Sequence, residues 1–361
     1  MNKEKKNKIK EYLIVFFVIF VFFLILRIFT PIFNENHPDF SIPNDHYHYI
    51  NMAKNPFTPR VAIAPFCYRI FVPFIAWLLP FDLEINFQII TYTSIFLTSF
   101  LLYELFKNLY GKIFAFTGIT LFFSLHWAVR YSLFNIWRVD ATAFFFMVLC
   151  FYAISKSNLK LYCISLFLGV LTKEIILFTI PVLLIHEYFK NENVKFQKKA
   201  FLFKLFLSIA PAILIFIIIR IFIIADPVWK YDYFYLFTKV GIERRLKKIS
   251  NFDLDFIYNC TLATWGVILC IFIFFNKESS FLAWSRQYLI FICLIYLQLT
   301  IATDIERILI AGFYPIILLS LSGMHNIYEK YQINQYYFFL LSIIYFIINL
   351  IYTTLFFEII F

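Results

Sequence analysis

Long apolar stretches alternate with short polar ones along the whole chain. The apolar runs cover approximately residues 12–29, 66–80, 86–106, 113–129, 139–155, 161–188, 205–225, 259–276, 288–303, 308–323 and 336–357. A bilayer demands about 20 apolar residues per helical crossing, and several runs fall short of that. The pattern predicts an all-α polytopic membrane protein with about 11 transmembrane helices. Residues 1–361 read as a single integral-membrane domain with outer loops at about 30–65 and 226–258 and no separate soluble domain.

The order of charges refines this layout. Plain alternation from a cytoplasmic N-terminus places Lys107, Lys112, Lys156 and Lys160 outside, against the tendency of basic residues to stay inside. A second threading removes the conflict. In it, 66–80, which carries Arg69, Pro73 and Pro80, is a juxtamembrane helix of the first outer loop. The run 161–188 becomes two short arms broken at Thr172-Lys173-Glu174, because charges inside an apolar run need water or partners. Residues 1–11, 107–112, 155–160, 189–204 and 277–287 then all lie inside. The loop from Asp226 to Asn259 falls outside with six Lys/Arg, nearly balanced by five acids. Its stretch VGIERRLKKI reads as an interfacial amphipathic helix. No internal repeat appears at a fixed period.

Composition supports the membrane reading. Hydrophobic residues make up 62% and charged residues 15%, against roughly 25% charged residues in soluble domains. Two soluble domains of this length are thereby excluded. The net charge of +10 would suggest nucleic acid in a soluble chain, but basic inner loops account for it here, and no nucleic-acid partner is expected. The six Cys form no CxxC pair, so neither a disulfide framework nor a zinc site is supported. MNKEKKNKIKEY followed by an apolar run reads as an uncleaved signal anchor.

Under the second threading, the notable polar groups share one membrane face. They are Asp45, His46, His48 and Arg69 of the first outer loop, Arg130, Arg138 and Asp140, the break at Lys173 and Glu174, and Asp304, Glu306 and Arg307. Each has a structural alternative. Asp45 is equally a solvated acid or a helix cap, and Arg69 a snorkelling side chain. Asp140 suits a helix N-terminus whatever its role, with Arg138 as its partner. Lys173 and Glu174 are equally a solvated hairpin tip. Asp304 and Arg307 are equally an i,i+3 pair. Paired loop histidines such as His46 and His48 are usually incidental. Phosphate-loop, dinucleotide, GxSxG and HExxH motifs are absent, which disfavours ATP-driven transport, serine hydrolysis and zinc proteolysis.

Five phrases, in order, carry a resemblance. They are Asp45 in NDHYHYINMA, the Arg-bearing APFCYRIFVPFIAWLLP, the basic turn LLYELFKNLYGK followed by NIWRVDA, the break LGVLTKEIILFTIPVLL, and DIERILIAGFYPIIL. Together they resemble the GT-C superfamily of integral-membrane glycosyltransferases across most of the chain. Many members carry paired acids in the first loop, whereas His46 follows Asp45 here. No cofactor is therefore assigned, and a divalent metal lacks a paired-acid motif.

The resemblance implies transfer of a sugar from a polyprenyl-phosphate carrier to a hydroxyl of an envelope glycan or lipid. Transfer would occur at the outer face of the cytoplasmic membrane, with the N-terminus cytoplasmic. It makes Asp45 the base and assigns the donor phosphate to Arg69, Lys173 and Arg307. His46, His48, Arg138, Asp140, Glu174 and Asp304 would orient the substrates. A transporter or flippase, a polymerase or ligase of lipid-linked saccharide, and a non-catalytic assembly subunit are the competing readings.

Overall fold

The apolar runs become helices, and among the described residues there is no strand. The computed structural model describes residues 3–42, 44–56, 58–190, 198–226, 254–300 and 305–356. Helix α1 (Lys3–Ile28) leads into a connecting segment that holds α2 (Asp45–Lys54) and α3 (Phe71–Leu78), with short 3-10 turns at Pro38–Ser41 and Phe66–Tyr68. Next come α4 (Leu83–Tyr110), α5 (Lys112–Ser124), α6 (Arg130–Phe134), α7 (Asp140–Ser155) and α8 (Leu159–Thr172). A 3-10 turn at Glu174–Phe178 joins α8 to α9 (Thr179–Lys190), and α10 (Lys198–Phe222) follows. The C-terminal part comprises α11 (Leu254–Tyr258) with a π turn at Asn259–Ala263, α12 (Val267–Ile273), α13 (Glu278–Leu297), α14 (Ile305–Leu309), α15 (Phe313–Tyr331) and α16 (Gln335–Leu355).

Six of these helices are long and apolar enough to cross a membrane, or seven if the bent pair Phe256–Ala263 and Val267–Ile273 is one crossing. That is fewer than the expected count of about 11. The run 113–129 gives a helix that stops at Ser124, and the run 139–155 gives 16 residues. At 1.5 Å per residue the latter is about 24 Å long, below a full hydrocarbon thickness. The run 161–188 splits at Lys173, whose extended backbone (φ −162°, ψ 134°) ends α8. The run 259–276 bends by 85° at Gly266, which has φ 80°. The amphipathic stretch expected at 240–249 lies outside the described residues.

The outward faces are apolar, with Phe17, Ile221 and Tyr337 each about two-thirds exposed. A water-soluble monomer rarely leaves so much contiguous apolar surface bare. Inside, packing rather than hydrophobicity holds helices together, since lipid is as apolar as Leu. Small polar residues therefore line buried faces. On α4, Thr91, Ser94, Thr98 and Ser99 are buried, and the Thr98 and Ser99 hydroxyls return to the carbonyls of Ser94 and Ile95 at 2.7 and 2.8 Å. Between α12 and α15 the approach is closer still. A Cβ on Gly323 would lie 1.9 Å from the Phe272 carbonyl oxygen.

Polar contacts sort the loops to two ends. At one end Glu11 pairs with Lys107 and Lys112, both at 2.5 Å, Lys190 donates to Ser157 at 2.6 Å, and Lys277 pairs with Glu329 at 2.8 Å. Segments that the charge order groups together thus meet their neighbours there. At the opposite end Arg27, in the last turn of α1, donates to Tyr92 at 2.9 Å. Thr91 donates to Ile136 O at 3.1 Å, and Ser94 meets Thr142 at 3.0 Å. The start of α7 therefore lies level with the end of α1.

Helix α4 continues about two turns beyond that level, some 12 Å, and the segment 29–80 packs around this extension as a roof. Asn86 pins the roof by donating to the carbonyls of Ala76, Leu79 and Phe81 at 2.8–3.0 Å. Trp137 Nε1 donates to Phe33 O at 2.7 Å. A second apolar core of Phe33, Tyr49, Phe87, Ile136 and Trp137 fills the space between.

Candidate functional site

Under the roof, four chain ends converge. Asp45 opens α2, Asp140 opens α7, Lys173 and Glu174 form the tip between α8 and α9, and Arg307 lies in α14. Arg307 bridges two acids, with Nη2 2.6 Å from Asp45 Oδ2 and Nε 3.3 Å from Asp140 Oδ2. Lys173 Nζ pairs with the other oxygen of Asp140. Arg138 Nη2 lies 3.6 Å from Asp45 Oδ2, with its guanidinium 5.0 Å from the Tyr131 ring. Beside this group Arg69 clasps Glu174 through Nε (3.1 Å) and Nη2 (2.6 Å), and its Nη1 donates to the Tyr49 hydroxyl at 3.1 Å.

Among the described residues, four cations thus face three carboxylates in a poorly hydrated space. Burial alone would raise the Asp45 carboxyl, but Arg307, Arg138 and Arg69 outweigh it and hold it down at about 2. Buried charges persist only when paired and hydrogen-bonded, and this set is incompletely bonded. Arg138 Nε and Nη1 are buried without a hydrogen-bond partner, and no donor is aligned on Asp45 Oδ2 despite the short ionic contact. Asn135 Oδ1 and His48 Nδ1 are likewise buried and unbonded. Native proteins rarely leave such groups unsatisfied unless a ligand or water completes them.

The candidate residues separate by environment. Asp45, Arg138, Asp140, Lys173 and Arg307 form one network, and Arg69 with Glu174 flanks it. His48 lies at the edge, its ring stacked 5.0 Å from Phe66. Burial lowers its imidazole below the ordinary value, so the ring is neutral near pH 7. His46 has a packing role: it is almost fully buried against Phe33 and Phe40, with Nε2 2.9 Å from Phe40 O.

Arg138 pairs with Asp45 rather than with its near neighbour in sequence, Asp140. Arg130 belongs to a different structure. It binds Thr30 Oγ1, Phe29 O, Leu350 O, Thr353 and Thr354, so it latches the end of α1 to the end of α16. Asp304 lies outside the described residues.

Tyr49, through Arg69, and Tyr131, through Arg138, join the site without having been anticipated. For Tyr49 a signal existed, because it stands four residues after Asp45 and shares its helix face. Tyr131 lies in the connection between the runs 113–129 and 139–155, where nothing marked it. Among the described residues no group of three or more His, Cys, Asp or Glu side chains could hold a metal ion.

Chemically, the arrangement offers a buried, cation-bearing cluster with one carboxylate facing two arginines. It suits an anionic group such as a phosphate, which Arg recognises through planar, multidentate hydrogen bonds. In comparison with known proteins, the chain matches no family model and no curated protein.

Proposed function

We propose that the protein is a membrane glycosyltransferase that moves a sugar from a polyprenyl-phosphate carrier to a hydroxyl of an envelope glycan or lipid, in the manner of GT-C enzymes. One observation carries this reading: a buried ion network in which Arg138 keeps two donors unbonded. A phosphate would supply the missing acceptors. The roofed site at the end of the apolar belt suits a donor whose lipid tail stays in the bilayer. The proposed placement is in the cytoplasmic membrane with the site outward, because the opposite end carries Lys107, Lys112, Lys190 and Lys277.

In the proposed reaction the acceptor oxygen bonds to the anomeric carbon as the bond from that carbon to the phosphate oxygen breaks. The departing phosphate keeps the electron pair, and Asp45 takes the acceptor proton. Cations preorganised around the phosphate stabilise its growing charge. That work falls to Arg307 and Arg138 in this reading. Arg69, already engaged by Glu174 and Tyr49, and Lys173, engaged by Asp140, hold the frame of the site.

Purified protein in lipid, given radiolabelled polyprenyl-phosphate sugars and an envelope extract, tests the reading. Transfer by the wild type and its loss in Asp45→Asn, with the fold intact, is the expected result. Absence of transfer with every donor would overturn it. A flippase is the second reading, favoured by the interrupted helices at Lys173 and Gly266, since such breaks line transport sites. Movement of labelled lipid across liposomes without transfer would select it.

A further inference from the structure

Helix α2 brings Asp45, His48 and Tyr49 together, because side chains three and four positions apart are neighbours on a helix surface. Tyr49 accepts a hydrogen bond from Arg69 at 3.1 Å, and Asp45 meets Arg307 and Arg138. His46, next in the chain, packs instead into the aromatic core with Phe33 and Phe40. His48 differs from all of these. Its Nδ1 is buried and has no hydrogen-bond partner, yet its ring is held in place. It lies parallel to Phe66, 5.0 Å away at an interplanar angle of 11°, and Phe66 in turn lies 5.5 Å from the Arg69 guanidinium.

The chemistry of Nδ1 narrows what completes it. Burial outweighs the attraction of Asp45 and Asp226 and keeps the ring neutral. In a neutral imidazole each nitrogen is a donor or an acceptor, according to the tautomer. An anion serves only the first form and a cation only the second, whereas a hydroxyl serves both. Asp45 stands one turn away, with its Cβ about 5–6 Å from that of His48. Arg307 and Arg138 make their closest contacts with Asp45 through Oδ2, so Oδ1 is the oxygen better placed to take a hydroxyl proton. A hydrogen bond donated by His48 to that same hydroxyl would weaken its oxygen as a nucleophile. The partner of Nδ1 is therefore better a second hydroxyl, on the carbon beside the first.

We propose that Asp45 and His48 form a subsite for a vicinal diol, with one hydroxyl on Asp45 Oδ1 and its neighbour on His48 Nδ1. Naming this diol as part of the acceptor rests on the transferase reading, whereas the subsite rests on the geometry of α2. The consequence is a narrower class of acceptor: a sugar or another polyol, rather than a lone alcohol.

The test is ligand binding to full-length protein in lipid nanodiscs, followed by saturation-transfer NMR. The probes are two isomers of cyclohexanediol, one with its hydroxyls on adjacent carbons and one with them on opposite carbons. The adjacent isomer should bind about three- to tenfold more tightly, the scale of one net hydrogen bond. His48→Ala should abolish that preference, and His48→Gln, which keeps a donor and an acceptor, should retain part of it. The glutamine variant carries the test if His48→Ala does not fold. A purely structural His48 would leave the ratio of the two affinities unmoved, and a preference undiminished by either substitution overturns the proposal.

Equal binding of the isomers by the wild type, as expected if water alone completes Nδ1, also overturns it, as does failure to bind either probe. Sugar transfer without the diol preference sinks the subsite and leaves the transferase reading standing. The preference without transfer from any donor does the reverse.

Discussion

Replacing Arg307 by Gln removes a side chain that contacts both Asp45 and Asp140, at 2.6 and 3.3 Å. Breaking a buried ion pair by deleting one partner costs about 3–5 kcal/mol. Here both acids retain a cation, Lys173 for Asp140 and Arg138 at 3.6 Å for Asp45, so the expected loss is at the low end, about 3 kcal/mol. Unfolding in mixed micelles, followed by tryptophan fluorescence, measures it.

The pH dependence supplies a second reading of the same substitution. The Asp45 carboxyl is held down from 3.8 to about 2. Its ionic contribution is therefore complete above pH 3.8 and is lost as pH falls through about 2. Without Arg307 the burial remains while the largest opposing charge is gone, so the acid-induced loss should begin at higher pH. A loss of stability below about 1 kcal/mol, the level of a surface pair, or an unmoved acid transition would refute the reasoning.

Asn86→Ala leaves three carbonyls of the roof without their donor and should cost about 1–3 kcal/mol in the same unfolding assay. Glu11→Gln weakens the pairs with Lys107 and Lys112 at the far end. It should lower thermal stability while leaving phosphate affinity as in the wild type, as a binding titration would show. Single cysteines at the exposed positions Asn36 and Ser157, in a background without native Cys, should react with a membrane-impermeant thiol reagent from opposite sides. Labelling of both from one side would contradict the two-ended arrangement.

What was legible in the sequence followed from local physical conflicts. Lys173 and Glu174 within an apolar run announced a break, and α8 does end at Thr172. Arg69 between prolines announced a short non-spanning helix, and α3 covers only Phe71–Leu78. Lys-bearing turns announced a common end. Partnerships were not legible, because they join segments far apart in the chain. Arg307 meets Asp140 across 167 positions and Arg69 meets Glu174 across 105. Nearest-neighbour reasoning paired Arg138 with Asp140 and missed its contact with Asp45.

Run length alone does not fix the count of crossings, since hydropathy does not register where an apolar run stops being helical, as at Ser124, or bends, as at Gly266. His46 looked like chemistry because of its neighbours Asp45 and His48, yet its ring fills space between Phe33 and Phe40. Polar type alone does not distinguish a site residue from a packed one.

The central claim is that the network of Asp45, Arg138, Asp140, Lys173 and Arg307 binds the phosphate of a lipid-linked substrate. Its most direct test is a cryo-electron microscopy structure with a non-hydrolysable polyprenyl-phosphate sugar analogue. The account predicts phosphate density within hydrogen-bonding distance of Arg138 and Arg307. Analogue bound elsewhere, over ion pairs unchanged from the resting state, would contradict it.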